Sequence, residues 1–276
     1  MRFLCLHGRG TSAAIFRSQT ASFRLRLNST ITFEFVDGRF PSEPPLDIAH
    51  FYPPPYYTYW EGKSVRAIRD AHEWLRQKLA RDGPYDGVLL FSQGCNLIAS
   101  FLLYHQATNP AVPPPFKVAV FICGGVSLNV LEDLGHYVSQ EAHEWDDWTR
   151  IQLEKKNDDV SVLTRGKNRW ASCDAAERDA DMIVNIYHSP ARDLKNVYGM
   201  DLSQFPESSK IQIPTVHIYG SKDPRYPAAL QLAYMCDERA RMMYDTGSGH
   251  DIPRSKEVSE AIAGLIRWCQ QICEEK

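Results

Sequence analysis

Hydrophobic and polar positions along the chain change period in a recurring order. Arg2 to Leu6 is a short apolar run stopped by Gly8 and Gly10, which predicts a first strand, and Ser12 to Leu27 carries the apolar spacing of a helix. Ile31 to Val36 alternates β-formers until Asp37-Gly38 ends it, predicting a second strand. From Phe40 to Gly62 prolines recur among Phe51, Tyr52, Tyr56, Tyr57, Tyr59 and Trp60. Proline opposes regular pairing, so this is expected to be a long loop, and its rings either wall a pocket or plug the edge of a core. Ser64 to Ala80 reads as an amphipathic helix with Val65, Ile68, Ala71, His72, Leu75 and Leu79 turned inward. Gly87 to Phe91 and Val118 to Cys123 are apolar on both faces, as central parallel strands are, with a helix from Leu97 to His105 between them. Thr215 to Tyr219 predicts another strand, followed by a helix from Ala228 to Cys236, a short strand at Met242 to Tyr244 and a terminal helix from Lys256 to Cys273.

Strands alternating with helices at this spacing predict an α/β fold with a doubly wound, mostly parallel sheet and helices on both faces. The regularity breaks from Val126 to Lys210, where polar and charged residues surround Trp145, Trp148 and Trp170. Residues 126–210 are expected to form a largely helical, lid-like insertion within a single domain spanning 1–276.

The length of 276 residues, with 43% apolar and 24% charged residues, permits a hydrophobic core that needs neither disulfides nor a structural metal. The seven cysteines are read as reduced. Cys5 and Cys123 sit in apolar runs, and Cys269 and Cys273 share a helical face without further ligands, so packing is expected for all four. With 31 basic against 34 acidic residues, the net charge of -3 provides no field for gathering nucleic acid or anionic lipid. No apolar stretch reaches the roughly 18 to 20 residues that span a bilayer, and the amino-terminal residues show no signal-peptide cleavage pattern. A cytoplasmic, membrane-free protein is expected.

Candidate chemistry centres on Leu90-Phe91-Ser92-Gln93-Gly94, where a strand gives way to a helix. A serine on such a turn is lifted out of the sheet in the manner of a nucleophile elbow, G-x-S-x-G, although Leu90 occupies the first glycine position. The competing reading is an ordinary helix N-cap. Partners further along the chain favour the elbow: Asp223 follows one late strand and His250, in Gly247-Ser248-Gly249-His250, follows the next. Serine, acid, histidine is the order of the α/β-hydrolases. The imidazole takes the serine proton and the carboxylate holds the imidazole in one tautomer, so Ser92, His250 and Asp223 are assigned as nucleophile, base and acid. Asp251 is a poorer acid because it adjoins the histidine in sequence. The other histidines are expected to serve packing or surface roles, with His7 bracing the loop after the first strand. That loop, Leu6-His7-Gly8-Arg9-Gly10-Thr11, is expected to contribute the Arg9 amide to an oxyanion hole, with the Gln93 amide as second donor. It lacks the spacing of a phosphate-binding glycine loop.

Leu6-His7-Gly8-Arg9-Gly10-Thr11-Ser12 with Ile15-Phe16 and Gln19, Gly83-Pro84-Tyr85-Asp86-Gly87, Phe91-Ser92-Gln93-Gly94 and Gly249-His250-Asp251-Ile252-Pro253 together resemble the fungal serine hydrolase (FSH) family. The likeness runs along nearly the whole chain outside the central insertion. Phe33 to Val36 and Pro55 to Trp60 look most like the stand-alone hydrolases that accompany fungal polyketide synthases, some of which release a carrier-bound polyketide by thioester hydrolysis. The resemblance implies the same nucleophile, acid and base, an α/β-hydrolase fold and no cofactor.

The function expected is therefore cleavage of an acyl thioester or ester, free or presented by an acyl carrier domain, through an acyl-enzyme on Ser92. Tyr56, Tyr57, Tyr59 and Trp60 are the expected pocket residues. A carboxylesterase or lactonase acting on a free small molecule, an acyl transferase or cyclase, and a non-hydrolytic binding protein on the same fold are the alternatives.

Overall fold

A computed structural model describes residues 1–157 and 193–275. Trp170, Cys173 and the middle of the expected insertion lie outside the described residues.

The apolar runs become strands of one parallel sheet. Strands β1 (Arg2–Leu6), β2 (Thr32–Val36), β5 (Gly87–Phe91), β6 (Val118–Ile122), β7 (Thr215–Tyr219) and β8 (Arg241–Asp245) lie in the order β2-β1-β5-β6-β7-β8. All five pairings are parallel. Alternation along each strand sends side chains into two cores. Leu4, Leu6, Val88, Leu90, Ala119 and Phe121 pack on one face against α4 (Val65–Asp82), α5 (Gln93–Thr108) and α8 (Tyr226–Tyr234). Phe3, Cys5, Leu89, Phe91, Val120 and Ile122 pack on the other against α1 (Ala13–Gln19), α2 (Ala21–Arg24) and α9 (Lys256–Glu274). The doubly wound α/β reading therefore holds in the structure.

Two local expectations change. The helix expected from Ser12 to Leu27 is divided at Thr20, whose buried hydroxyl bonds the Phe16 carbonyl at 2.8 Å and competes there with the helix ladder. The proline-rich stretch contains a short helix, α3 (Leu46–Phe51), and its ends pair as β3 (Phe40–Pro41) and β4 (Tyr57–Thr58), antiparallel. Proline removes a donor from a ladder and here limits the pairing to two residues a side instead of abolishing it.

The described parts of the 126–210 segment include α6 (Leu128–Asp133) and α7 (Gln140–Asn157). Among the described residues, no helix is long and apolar enough to cross a membrane.

Candidate active site

The strand order reverses between β1 and β5, and in open parallel sheets ligands bind outside the carboxyl ends of strands near such a point. Ser92 follows β5, Asp223 follows β7 and His250 follows β8, so three loops bring them to the same edge of the sheet.

Ser92 has φ 51°, a left-handed backbone in a non-glycine residue. It stands where a capping serine would, yet its side chain makes no cap bond to α5. Instead its Oγ lies 2.9 Å from His250 Nε2, while His250 Nδ1 lies 2.8 Å from Asp223 Oδ2. The strained turn is tolerated because its surroundings are small: a Cβ on Gly94 would stand 2.4 Å from the Leu6 carbonyl oxygen, so only glycine lets α5 approach β1 this closely. Leu90 does not obstruct the turn, since its side chain is fully buried in the core beneath α5.

Burial raises the Asp223 carboxyl, but His250 opposite it, the Arg225 amide donating to Oδ1 at 2.7 Å and the Cys123 thiol hold it below the ordinary carboxylate range. It therefore remains an anion facing the imidazole. Asp251 does not face the ring nitrogens, and its buried Oδ1 has no hydrogen-bond partner.

Cys123, Asp223 and His250 form the one group of potential metal ligands among the described residues, with donor atoms within 4.8 Å of one another. Both imidazole nitrogens are already committed, to Asp223 and Ser92. Burial pushes the Cys123 thiol well above its usual pKa, which disfavours the thiolate a metal needs. The donor set fits a hydrogen-bonded relay better than an ion.

The loop after β1 is held from both sides. The Gly38 amide donates to His7 Nε2 at 2.9 Å, which places the ring proton on Nδ1, and Nδ1 donates to the Gly8 carbonyl at 2.7 Å. Burial lowers His7 to about 4, keeping it neutral. Beyond Arg9, the Gly10 amide donates to the Tyr57 carbonyl and the Tyr57 amide to the Thr11 carbonyl, at 3.0 and 2.7 Å. Gly10 has φ +70°, and a Cβ there would meet the Glu43 carbonyl oxygen at 2.6 Å. Exposed Arg9 thus sits on a loop fixed before and after it. The first hydrogen bonds inside α5 are donated by Cys95 and Asn96 to the Ser92 carbonyl, so the Gln93 amide precedes them at the helix start, where N–H groups lack intrahelical partners.

The side chain of Gln93 does something the sequence does not advertise. Its Oε1 accepts from Thr58 Oγ1 and the Tyr59 amide, and its Nε2 donates to Thr58 Oγ1 and the Trp60 carbonyl. The aromatic segment is thereby tied to the elbow. Tyr59 is fully buried, with its hydroxyl between the His7 amide and the Val36 carbonyl, and Trp60 is nearly so. These two rings pack the core. Tyr56 and Tyr57 are half-buried, and the Tyr56 hydroxyl donates to the Tyr52 carbonyl. A cavity of about 330 Å³ beside His250 is lined by Phe51 and Tyr52 from this stretch, together with Phe91, Ile48 and Ile252. A depression of about 510 Å³ lined by Gln106, Gln212 and Arg239 lies at the amino ends of β7 and β8, away from Ser92, Asp223 and His250.

A profile described as "Serine hydrolase (FSH1)" matches residues 1–262. The chain belongs to the FSH1 serine hydrolase family. "Hydrolase FUB4" of Fusarium oxysporum f. sp. lycopersici is 30% identical, the match covering 96% of this chain and 97% of that protein. "Esterase alnB" of Emericella nidulans is 27% identical over 98% of this chain and 96% of that one. An esterase of Pyrobaculum calidifontis shares the fold at TM-score 0.51 with 16% identity, covering 98% of this chain and 76% of the other. Membership in FSH1 makes this chain a serine hydrolase with the α/β-hydrolase fold, as the sequence motifs suggested.

Arg225 escapes sequence reading because its partner lies 79 residues away. Its guanidinium, 12% exposed, bonds Asp146 Oδ1 and Thr149 Oγ1 on α7, each at 2.7 Å, while its amide holds Asp223. The pair joins the loop that carries Asp223 to α7 in the 126–210 segment. Arg225→Gln is expected to lower stability by about 2 kcal/mol, because Asp146 loses one of two guanidinium partners in a nearly dry setting. It should also lower kcat by loosening Asp223. Urea melts and steady-state kinetics check this, and unchanged values in both would refute the coupling.

Proposed function

We propose that this serine hydrolase cleaves acyl thioesters or esters through an acyl-enzyme on Ser92. The continuous hydrogen-bonded line from Ser92 Oγ through His250 to Asp223 carries the reading.

In acylation the Ser92 proton passes to His250 Nε2 as Oγ bonds the acyl carbon. The Arg9 and Gln93 amides take the negative charge that develops on the carbonyl oxygen. His250 then gives its proton to the leaving sulfur or oxygen, and the bond to that atom breaks. In deacylation His250 removes a proton from water, the hydroxyl adds to the acyl carbon, and the proton returns to Ser92 as the acid departs. Asp223 stays ionised throughout and keeps the Nδ1 proton in place. No cofactor takes part in these steps.

A polyketide-type acyl chain, presented as a thioester on a carrier domain, is the substrate class the family likeness favours. The relatives named as esterases support an oxygen ester as the second reading. Turnover of a carrier-bound thioester against the matching oxygen ester separates the two. The 126–210 segment, anchored through α7 and Arg225, is proposed as a lid over this edge of the sheet.

A fluorophosphonate probe tests the chemistry. Covalent labelling mapped to Ser92 in the native protein, and lost in His250→Ala, is the expected result. Folded native protein that takes no label would overturn the reading.

A further inference from the structure

Two residues that line the cavity beside His250 carry unmatched polar atoms. Gln19 Oε1 and Asp251 Oδ1 are shielded from solvent and have no hydrogen-bond partner, and both residues line this cavity. Folded proteins pair nearly all their buried polar groups, because an unpaired one keeps the cost of leaving water with nothing in return. Two such side chains lining one cavity, beside His250, mark a place where a polar partner binds once they turn toward it.

Position and chemistry narrow that partner. Phe91 immediately precedes the nucleophile, and Phe91 and His250 both line the cavity, so whatever enters lies beside the imidazole that faces Ser92. Ile48, Phe51 and Ile252 provide apolar surface for a carbon chain. A carboxyl oxygen and a carboxamide oxygen are acceptors, and the amide can present its N–H₂ after a half-turn. A hydroxyl both donates and accepts and therefore suits either group. An alkyl segment offers no partner and leaves both unmatched. The volume of about 330 Å³ is at the lower end for small-molecule pockets, enough for a short chain segment.

We propose that Gln19 and Asp251 form a specificity subsite for a hydroxyl-bearing segment of the substrate next to the scissile bond. The proposal rests on the acyl-hydrolase reading above and adds to it the substrate class: hydroxylated acyl chains, or hydroxylated leaving groups, over their unsubstituted counterparts. Asp251 then serves the site although it is not the triad acid. Gln19, part of the motif after β1, acquires a role that helix packing does not require.

Paired substrates test it in two arms. In the first, N-acetylcysteamine thioesters of hexanoate are compared with those of 3-, 4- and 5-hydroxyhexanoate. In the second, ethyl hexanoate is compared with the hexanoate monoester of ethylene glycol. Each pair is read as kcat/KM in the native enzyme and as affinity for the Ser92→Ala protein by calorimetry. A preference of roughly ten- to hundredfold for one hydroxylated member is expected, and the arm in which it occurs tells whether the acyl chain or the leaving group enters the cavity. Gln19→Met, nearly isosteric, and Asp251→Leu should each bring that ratio toward one, and the first variant decides if the second does not fold. Ratios near one in both arms, or a preference that survives both variants, would overturn the subsite while leaving the hydrolase intact. Selective binding to Ser92→Ala alongside a native protein that cleaves none of the pairs would leave the subsite standing and remove the hydrolase reading.

Discussion

Asp223→Asn is expected to lower kcat on an acyl thioester by about 10⁴-fold with little change in KM. The effect follows from the tautomer of His250. In the native protein the carboxylate accepts from Nδ1, which leaves Nε2 free to accept from Ser92 Oγ at 2.9 Å. An asparagine of the same shape can turn its N–H₂ toward Nδ1, whereupon the ring proton moves to Nε2 and the serine loses its base. The Arg225 amide, 2.7 Å from the other carboxylate oxygen, favours this orientation because it needs an acceptor there and would hold the asparagine carbonyl. Ser92→Ala, by removing the nucleophile, should abolish the acyl-enzyme altogether. The check is single-turnover kinetics with mass spectrometry of the intermediate. An Asp223→Asn enzyme within tenfold of the native kcat would show that Asp223 does not set the histidine tautomer.

Stability should fall steeply as pH drops from about 6.5 to about 4. Burial lowers both His7 and His72 from 6.5 to about 4. His7 is held by Gly8 and Gly38, and His72 Nε2 meets Ser100 Oγ at 2.8 Å. The sign follows from where the protons bind. Between the two values the unfolded chain takes up a proton at each histidine that the folded one refuses, so acid favours unfolding. The contribution is fully present above 6.5 and is lost as pH falls to the folded value. A shift of 2.5 units, 6.5 minus 4, corresponds to about 3 kcal/mol for each histidine. Together they amount to a large part of a typical domain's ~5–15 kcal/mol. Urea midpoints at pH 7.5 and 4.5 measure the loss. Paired carboxylates also weaken toward the lower value, so His72→Gln, which keeps a partner for Ser100, provides the control and should remove a substantial share of the drop. An identical drop in that variant would refute the assignment to His72.

Legibility in the sequence divides along physical lines. Apolar periodicity places β1, β5, β6 and β7 to within a residue, because a central parallel strand has no polar face to confuse the pattern. The same reasoning fails where one side chain redirects the backbone, as Thr20 does in dividing α1 from α2. The aromatic stretch is recognisable as important but not in what it does. Tyr59 and Trp60 turn out to be buried supports for the loop after β1 and the turn at Ser92, while Phe51 and Tyr52 meet the cavity. Composition alone cannot separate a ring that fills a core from one that walls a pocket, since both are apolar surface withdrawn from water.

Strand and helix order, the doubly wound sheet and the succession of serine, acid and histidine were determined by the sequence itself, since each is written in local period or in order along the chain. The tertiary structure alone decided that Gln93 ties the aromatic segment to the turn at Ser92, that Arg225 clasps α7, and that Gln19 and Asp251 share a cavity. Those arrangements join segments as far apart in the chain as Gln19 and Asp251. They depend on where whole elements pack against one another, and no residue's immediate neighbours in sequence carry that information.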